Sequence, residues 1–277
     1  MLLAGAGGVL AILLVLGTGV VAQAQNQVLP VAYVGLKYQL VRQGLDKEFV
    51  FATFNDARNE FLPEVVRKIA YLRKERPADY QKFLTPEVVA RGRQYLQEHH
   101  QELTKARELY GVAPEVIVAI LTVETDLGKV TGKYPVFNVF ASLAVMDTPE
   151  VMAEADLRPE LMPRLQKKAA WARRELREFL AYCRQHRLDP YQFCGSWAGA
   201  MGYAQLLPSS LVNCGQDGDG DGRVDLFNHA DAIASIAKYL QRSGFKLDQR
   251  TSWGRAVYAY NHSEPYVETV LTLARWY

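Results

Sequence analysis

The sequence lacks the features of a disordered, repetitive or nucleic-acid-binding protein. Its 32 basic and 30 acidic residues give a formal net charge of +2 without a long basic run, so charge gives no basis for nucleic-acid binding. Internal repeats and low-complexity linkers are missing. Only three of the 277 residues are cysteine, and a chain of this length buries enough surface to fold without disulfides. These absences indicate a globular protein, and an uncharged or mixed-charge substrate suits its charge equally well.

The three cysteines leave two alternatives open. Cys183, Cys194 and Cys214 are an odd number, which allows at most one internal disulfide and one remaining thiol. A Cys194–Cys214 disulfide would suit an oxidising compartment, and three buried free thiols fit the sequence equally well. All three lie far from the N-terminus, so none is placed to carry a lipid there.

Charge is also absent from residues 2–22, which are followed by a small-x-small pattern at Ala22-Gln23-Ala24. An apolar stretch with this ending is typical of a signal peptide, which we assign to residues 1–24. The stretch has no Lys or Arg before it and is long, so an uncleaved N-terminal membrane anchor is the alternative. Both interpretations predict an exported protein.

Strand patterns are scarce after the N-terminal segment, whereas helical periodicity recurs along the chain. The periodic segments are 44–75, 78–109, 114–127, 165–186, 230–243 and 264–276. Prolines fall mainly between them, as their missing N–H and fixed φ require. The sequence predicts a mainly α-helical protein, with a polar N-terminal helical subdomain at 25–104 packed against a motif-bearing region at 105–277.

Glu124 interrupts an otherwise apolar helix. Pro114 suits the first turn of this helix and Gly128 its end, and steps of three and four put Glu124 on the same face as Ile117 and Ile120. Burial and the negative end of the helix dipole oppose ionisation, so we expect its pKa to lie above that of a free glutamate. Such a carboxyl can act as a general acid. A buried Glu paired with a cation is the structural alternative.

Two further segments combine polar side chains with small or aromatic ones. Residues 195–210 are rich in small residues around Ser196 and Gln205, which could present a hydroxyl and an amide to a sugar. Near the C-terminus, Tyr260 and Asn261 offer an aromatic face and a second amide. Each segment has a structural alternative: a close helix contact that needs small residues, and a tyrosine in the core.

An acidic loop follows the first half of the EF-hand pattern. Asp217, Asp219 and Asp221 occupy alternating ligand positions, and Gly222 stands at the sharp turn. Arg223 would contribute its carbonyl oxygen. Three carboxylates this close together favour a bound cation, although a solvated acidic turn is the alternative.

The second half of this loop departs from the pattern. Asn228 replaces the bidentate Glu expected at the twelfth position, and Asp231 at the start of the next helix is the candidate for that role. We predict a structural Ca²⁺ held by a loop at 217–231. The ion would fix the following helix, which carries Tyr239.

In this order and spacing, the motifs resemble the soluble and membrane-bound lytic transglycosylase B family. They are Val-Glu-Thr at 123–125, the small-residue segment at 195–205, the calcium loop, and Tyr-Asn-His-Ser at 260–263 with Tyr266. The resemblance covers residues 85–277 and, more loosely, the helices from 45. It implies a goose-type, lysozyme-like helical core and peptidoglycan glycan strands as the partner. It also implies no organic cofactor, a monomer, and a location in the periplasm or cell envelope.

The resemblance implies roles for single residues as well. Glu124 matches the family's catalytic acid and base, which cleaves between N-acetylmuramic acid and N-acetylglucosamine without water and leaves a 1,6-anhydro ring. No facing carboxylate is needed, because the muramoyl 6-hydroxyl is the nucleophile. Asp126 is turned about 200° away along the helix. The positions that match the family's glycan groove are Ser196, Gln205, Tyr239, Tyr260, Asn261 and Tyr266.

Two departures from the family and two competing functions remain. Only residues 243–259 connect the helix after the calcium loop to the Tyr-Asn-His-Ser motif, a shorter connection that would open one wall of the groove. The lipid-bearing Cys of membrane-bound members is missing. The competing functions are a hydrolytic muramidase and a non-catalytic, calcium-stabilised peptidoglycan-binding protein.

Overall fold

The structure, a computed structural model, describes residues 29–277. The segment assigned as a signal peptide or anchor, 1–24, lies outside the described residues. Across the part that is described, no helix is both long and apolar enough to span a membrane.

Between residues 29 and 277 the chain forms thirteen α-helices and one two-stranded sheet. The first six helices are α1 (Ala32–Arg42), α2 (Lys47–Phe54), α3 (Pro63–Ala70), α4 (Pro86–Glu98), α5 (His100–Tyr110) and α6 (Pro114–Thr125). The others are α7 (Val136–Ala144), α8 (Pro149–Glu154), α9 (Met162–His186), α10 (Pro208–Cys214), α11 (His229–Arg242), α12 (Arg250–Tyr260) and α13 (Glu264–Trp276). Strand β1 (Tyr134–Pro135) pairs antiparallel with β2 (Cys194–Gly195).

Prolines begin many of these helices, which confirms the interpretation of their spacing. Pro63, Pro86, Pro114, Pro149 and Pro208 each stand in the first turn of a helix. The first helical N–H groups have no intrahelical acceptor, so a residue without an N–H costs nothing there.

Two helices form the centre of the molecule. Every residue from Val116 to Leu121 in α6 is fully buried, and α7 is buried along its whole length. The long α9 packs along α7, and α13 packs along α6. A helix buried on all sides carries no polar face, and for that reason helical periodicity did not reveal α7.

The N-terminal helices share one apolar core with the rest of the chain. The ring of Phe54 in α2 meets that of Phe137 in α7 edge to face, with centroids 5.0 Å apart. The Tyr33 hydroxyl lies 3.4 Å from the Ser142 hydroxyl in α7. Packing of the two regions against each other is thus confirmed. The predicted boundary at 104 falls inside α5.

Several helix predictions were wrong in extent or missing. The segment 44–75 is two helices, because Asp46 caps α2 through the Phe49 N–H and α2 already ends at Phe54. Helices α1, α7, α8, α10 and α12 were not predicted. Within the 243–259 connection, α12 begins at Arg250.

The three cysteines are free thiols in this structure. Cys183 and Cys214 are buried, and Cys194 is partly exposed. Of the two alternatives that the sequence left open, the structure has the one without a Cys194–Cys214 disulfide.

Candidate active site

Glu124 lies in the last turn of α6, and the backbone turns sharply just after it. The helix ends at Thr125, earlier than the predicted end at Gly128. Asp126 and Leu127 both adopt left-handed backbone angles, with φ of 48° and 62°. The Leu127 N–H bonds back to the carbonyl of Leu121 at 3.0 Å, a C-terminal motif that usually needs glycine. A strained turn thus follows the carboxylate.

Glu124 as a residue is partly exposed, and its carboxyl group is enclosed enough for burial to dominate its ionisation. The Tyr266 hydroxyl, at the start of α13, donates a 2.7 Å hydrogen bond to its Oε1. Burial raises the pKa of Glu124 to about 7; the bond from Tyr266 lowers it, and the charge of Glu75 raises it. The raised pKa predicted from the sequence is confirmed, and the carboxyl can hold a proton near neutral pH.

Asp126 does not face Glu124. Its carboxylate bonds Arg91 of α4 at 2.8 Å, and Lys129 lies 4.0 Å away. The prediction that these two acids cannot work as a facing pair is confirmed. Lys129, the cation nearest to Glu124 in sequence, lies beside Asp126 instead.

Two tyrosines lie near Glu124, and a third packs on one of them. Tyr266 is 1% exposed, and Tyr260 of α12 lies close enough for the charge of Glu124 to raise its pKa, after the larger effect of burial. Tyr239 of α11 meets Tyr260 edge to face at 4.8 Å and donates to the carbonyl of Ala259 at 2.7 Å. Tyr239 and Tyr260 are thus in ring contact, and Tyr260 lies close enough to Tyr266 to influence its pKa.

The small-residue segment reaches the same place. The Tyr260 hydroxyl donates to the carbonyl of Ala204, and the Thr125 hydroxyl, next to Glu124, donates to the carbonyl of Tyr203 at 2.9 Å. These bonds tie the backbone of the segment at Tyr203 and Ala204 to α6 and α12.

The side chains of Ser196 and Gln205 both form hydrogen bonds to nearby backbone groups. The Ser196 hydroxyl oxygen accepts from the N–H groups of Ala198 and Ala200 at 3.3 and 3.2 Å. Gln205 has φ of 47°, and its Nε2 donates to the carbonyls of Gly202 and Thr131 at 2.9 and 3.2 Å. Because Nε2 is occupied, the amide oxygen is the atom that Gln205 can offer to a ligand.

The glycines of this segment serve packing within the protein. A Cβ on Gly199 would lie 2.4 Å from the ring of Phe140, and one on Gly202 would lie 2.4 Å from the carbonyl oxygen of Leu226. A Cβ on Gly195 would meet the carbonyl oxygen of Ala200 at 2.2 Å. Close contact within the protein, rather than with a ligand, accounts for these positions.

Asn261 ends α12 in an extended conformation. Its side chain is partly exposed, and within residues 29–277 its amide has no hydrogen-bond partner. The amide of Asn261, which the sequence predicted to bind the glycan, is therefore free to bond a ligand.

The structure adds two residues that sequence reasoning missed. The Tyr80 ring meets the Tyr266 ring edge to face, with centroids 6.1 Å apart. Its hydroxyl donates to Glu75 Oε2 at 2.5 Å. Both residues come from the irregular segment between α3 and α4, far from Glu124 in sequence. No motif or spacing signalled their position, because only the tertiary fold brings them there.

The acidic loop gathers three of the predicted metal ligands. Carboxylate oxygens of Asp217, Asp219 and Asp231 lie within 4.8 Å of one another. Asp221 lies outside this group, with its Oδ1 accepting from the Arg223 N–H at 2.8 Å. Oxygen donors at this separation fit Ca²⁺, a hard cation that takes carboxylate and carbonyl ligands.

Asp231 is the buried member of the group, only 1% exposed. Its two oxygens accept from the N–H groups of Gly218 and Asp225 at 2.7 and 2.6 Å. Across the described residues the loop aspartates form no salt bridge, so their charge fits a cation in the loop. Asn228 donates to Asp219 at 2.7 Å and caps α11.

This geometry defines a mainly helical protein in which a carboxyl of raised pKa accepts a hydrogen bond from a buried tyrosine and a separate loop gathers acidic side chains. Residues 31–258 match the transglycosylase SLT domain family, and the chain belongs to that family. It is 37% identical over 169 residues to membrane-bound lytic murein transglycosylase B of Escherichia coli. The match covers 61% of this chain and 42% of that relative, so the chain spans less than half of the relative's length.

Solved structures share the fold. The lytic transglycosylase SLT35 of Escherichia coli in complex with calcium is 24% identical, with a TM-score of 0.72, over 89% of this chain and 92% of that one. SltB3 of Pseudomonas aeruginosa in complex with NAG-anhNAM-pentapeptide is 22% identical, with a TM-score of 0.72, over 87% of this chain and 77% of that one. The expected mainly helical, lysozyme-like fold is confirmed.

Proposed function

We propose that this protein is a peptidoglycan lytic transglycosylase. It cleaves the β-1,4 bond between N-acetylmuramic acid and N-acetylglucosamine without water, with Glu124 as acid and then base. The observation that carries this proposal is the enclosed Glu124 carboxyl, whose pKa burial raises to about 7 and which accepts from Tyr266. Membership in the transglycosylase SLT domain family supports the reaction class.

In the proposed reaction one carboxyl group acts twice. Protonated Glu124 gives its proton to the glycosidic oxygen as the C1–O bond breaks, and the leaving sugar departs with a new hydroxyl. The muramoyl 6-hydroxyl oxygen then bonds to C1, and the Glu124 carboxylate takes its proton. The product is a 1,6-anhydro ring, and Glu124 is again protonated. Tyr266 stabilises the carboxylate between the two steps, because a hydroxyl forms a stronger hydrogen bond to a carboxylate than to a neutral carboxyl group.

The glycan strand would be held by the residues around this carboxyl. Tyr239, Tyr260 and Tyr266 supply aromatic surface, and sugar rings pack well against such faces. Ser196 and Gln205 add polar atoms on one side, and the unpartnered amide of Asn261 adds a further hydrogen-bonding group.

We further propose a structural Ca²⁺ in the acidic loop. Carboxylate oxygens of Asp217, Asp219 and Asp231, which lie together, would bind it. Asp221 from outside that group and the carbonyl of Arg223 would complete the ligands that the loop pattern predicts. The ion would neutralise the buried Asp231 and fix the start of α11, the helix that carries Tyr239. It takes no part in bond cleavage. The calcium complex of the related SLT35 supports this proposal.

The proposed substrate requires the protein to be exported from the cytoplasm. Peptidoglycan lies outside the cytoplasm, and the uncharged segment at 2–22 supports a signal peptide or an N-terminal anchor. The protein would act as a monomer in the periplasm or cell envelope, without an organic cofactor.

Product analysis tests the proposed reaction. Intact sacculi are digested with purified protein, and released fragments are identified by mass spectrometry before and after borohydride treatment. Anhydro-muramoyl ends, which borohydride leaves unchanged, are expected. Reducible ends alone would instead identify a hydrolytic muramidase.

Two variants separate catalysis from binding. Glu124→Gln removes the proton donor and is expected to lower turnover by at least ~10³-fold while sacculi are still bound. Glu115→Gln, the same substitution about 13 Å away in the first turn of α6, is the matched control and should keep full activity. A wild type that binds sacculi and releases nothing would identify a non-catalytic binding protein.

A further inference from the structure

A second carboxylate lies behind Tyr266, the tyrosine that donates to Glu124. Glu75, an exposed residue between α3 and α4, accepts a 2.5 Å hydrogen bond from Tyr80. The Tyr80 ring packs edge to face on Tyr266, and Tyr266 donates to Glu124 at 2.7 Å. Two tyrosine side chains therefore separate the two acids.

The material between these acids is protein rather than water. Tyr80 is 6% exposed and Tyr266 1% exposed. A charge acts more strongly through such a medium than through solvent, because the effective dielectric constant is lower. Each tyrosine hydroxyl has one proton, and the two protons are given to different carboxylates. The pair transmits electrostatic influence and conducts no proton.

The cations near the two acids are hydrogen-bonded to other carboxylates, although Arg73 lies close enough to Glu75 for their charges to interact. Arg91 of α4 is bonded to Asp126, and Arg73, close to Glu75 in sequence, makes two 2.7 Å bonds to Asp79. Of the other helices packed on α6, α13 presents Tyr266 to Glu124, and α11 presents Tyr239 to Tyr260 of α12. The buried residues of α5 are Leu103 and Ala106, which do not titrate.

We propose that Glu75 is a positioning residue of the active site, whose negative charge, acting through Tyr80 and Tyr266, keeps Glu124 protonated until the glycosidic oxygen takes the proton. The inference deepens the proposed transglycosylase function and rests on it. The direction of the effect agrees with the electrostatics, because the charge of Glu75 adds to the larger effect of burial in raising the pKa of Glu124.

Three substitutions test the charge of Glu75 separately from its contact with Tyr80. Glu75→Gln keeps an acceptor oxygen for Tyr80 and removes the charge. Glu75→Asp keeps the charge and shortens the side chain. Glu64→Gln, at an exposed position in α3, removes an equal charge elsewhere and is the control.

The direct measurement is a ¹³C NMR titration of the Glu124 carboxyl in glutamate-labelled protein, with the signal assigned by its loss in Glu124→Gln. We expect Glu75→Gln to lower the pKa of Glu124 by about half a unit, since a neighbouring anion disfavours ionisation. Glu75→Asp and Glu64→Gln should stay at the wild-type value. The upper limb of the kcat/KM profile should move down in pH by the same amount.

The titration of Glu124 in these variants separates the charge of Glu75 from its hydrogen bond to Tyr80. If Glu75 only holds Tyr80 in place, the pKa of Glu124 in Glu75→Gln should equal that of wild type. That result would overturn the proposal. The titration needs no turnover. If wild-type protein released no anhydro-muramoyl product while Glu75→Gln still moved the titration, the proposed function would fail and the electrostatic link would stand.

Discussion

The Tyr266 hydroxyl donates a 2.7 Å hydrogen bond to Oε1 of Glu124 and so joins the first turn of α13 to the last turn of α6. The bond opposes the effect of burial on the acid. Burial disfavours the carboxylate, whereas a donated hydrogen bond favours it. The pKa of about 7 is the balance of these effects with the charge of Glu75, and an acid that must give up and regain one proton needs such a balance.

Tyr266→Phe should disturb this balance in a known direction. Without the donated bond, the pKa of Glu124 should rise above its value of about 7, and the upper limb of the kcat/KM profile should move to higher pH. The carboxylate formed after proton donation loses about 1.5 kcal/mol of stabilisation, so turnover should fall about tenfold.

The control for this experiment is Tyr258→Phe, since Tyr258 lies on the exposed side of α12. Both variants are compared by pH–rate profiles on purified sacculi. A Tyr266→Phe profile displaced to lower pH would contradict the opposing roles of burial and hydrogen bonding.

The stability of the protein should also depend on the proton of Glu124. Its pKa is 4.5 as a free side chain and about 7 when folded, so between these values the folded state holds a proton that the unfolded state has released. The free energy of unfolding therefore falls as pH rises through this window, by about 2 kcal/mol after allowance for partial exposure.

Glu124→Gln removes this dependence. Relative to wild type, the variant should gain stability between pH 4.5 and about 7 and show a constant difference above that. Urea unfolding at a series of pH values measures the gain. A difference that stays flat across the window would mean that the enclosed carboxyl ionises as a free glutamate does.

Local rules of the chain account for what the sequence predicted about the site. Glu124 was identified because an acid in an apolar helical run is costly, and Pro114 identified the start of that helix because its missing N–H is harmless there. The altered calcium loop was recognised because Asp217 and Asp219 follow a ligand spacing. Each inference used residues within a few turns of one another.

The remainder depends on tertiary contacts that leave no local signal. Glu75 and Tyr80 reach Glu124 only because α3 and α4 pack on the central helices, and the segment between them has no motif. Helix α7 is buried on all sides, so it lacks the polar face by which a helix is recognised in a sequence. The sequence placed the end of α6 at Gly128, whereas positive φ angles already begin at Asp126 and Leu127, because contacts beyond the turn override local preference.

Calcium should stabilise the protein through the acidic loop. Added Ca²⁺ is expected to raise the melting temperature by several degrees, with half of the effect at about 10⁻⁴–10⁻³ M, and excess chelator should reverse it. Asp231→Asn removes the buried ligand and should abolish the response. Asp248→Asn, an exposed aspartate beyond α11, should respond as wild type does. If Ca²⁺ raised the melting temperature of both variants equally, Asp231 would not be a ligand of the ion.

Gly202 should tolerate no side chain, because two independent costs fall on it. Its φ is +68°, and a Cβ there would lie 2.4 Å from both the carbonyl oxygen and the Cβ of Leu226. The left-handed backbone costs about 1–2 kcal/mol for a non-glycine residue, and relief of the overlap requires the backbone to move. Gly202→Ala should therefore lower the free energy of unfolding by at least ~2 kcal/mol.

The matched control is Gly35→Ala in α1, where a Cβ meets nothing within 4 Å. Alanine favours the helix there, so this variant should be as stable as wild type or up to about 1 kcal/mol more stable. Urea unfolding measures both variants under identical conditions. Because the segment around Gly202 is tied to Thr125 through the carbonyl of Tyr203, Gly202→Ala should also reduce turnover. A stable and fully active Gly202→Ala protein would show that this segment can move away from Leu226 without disturbing Glu124.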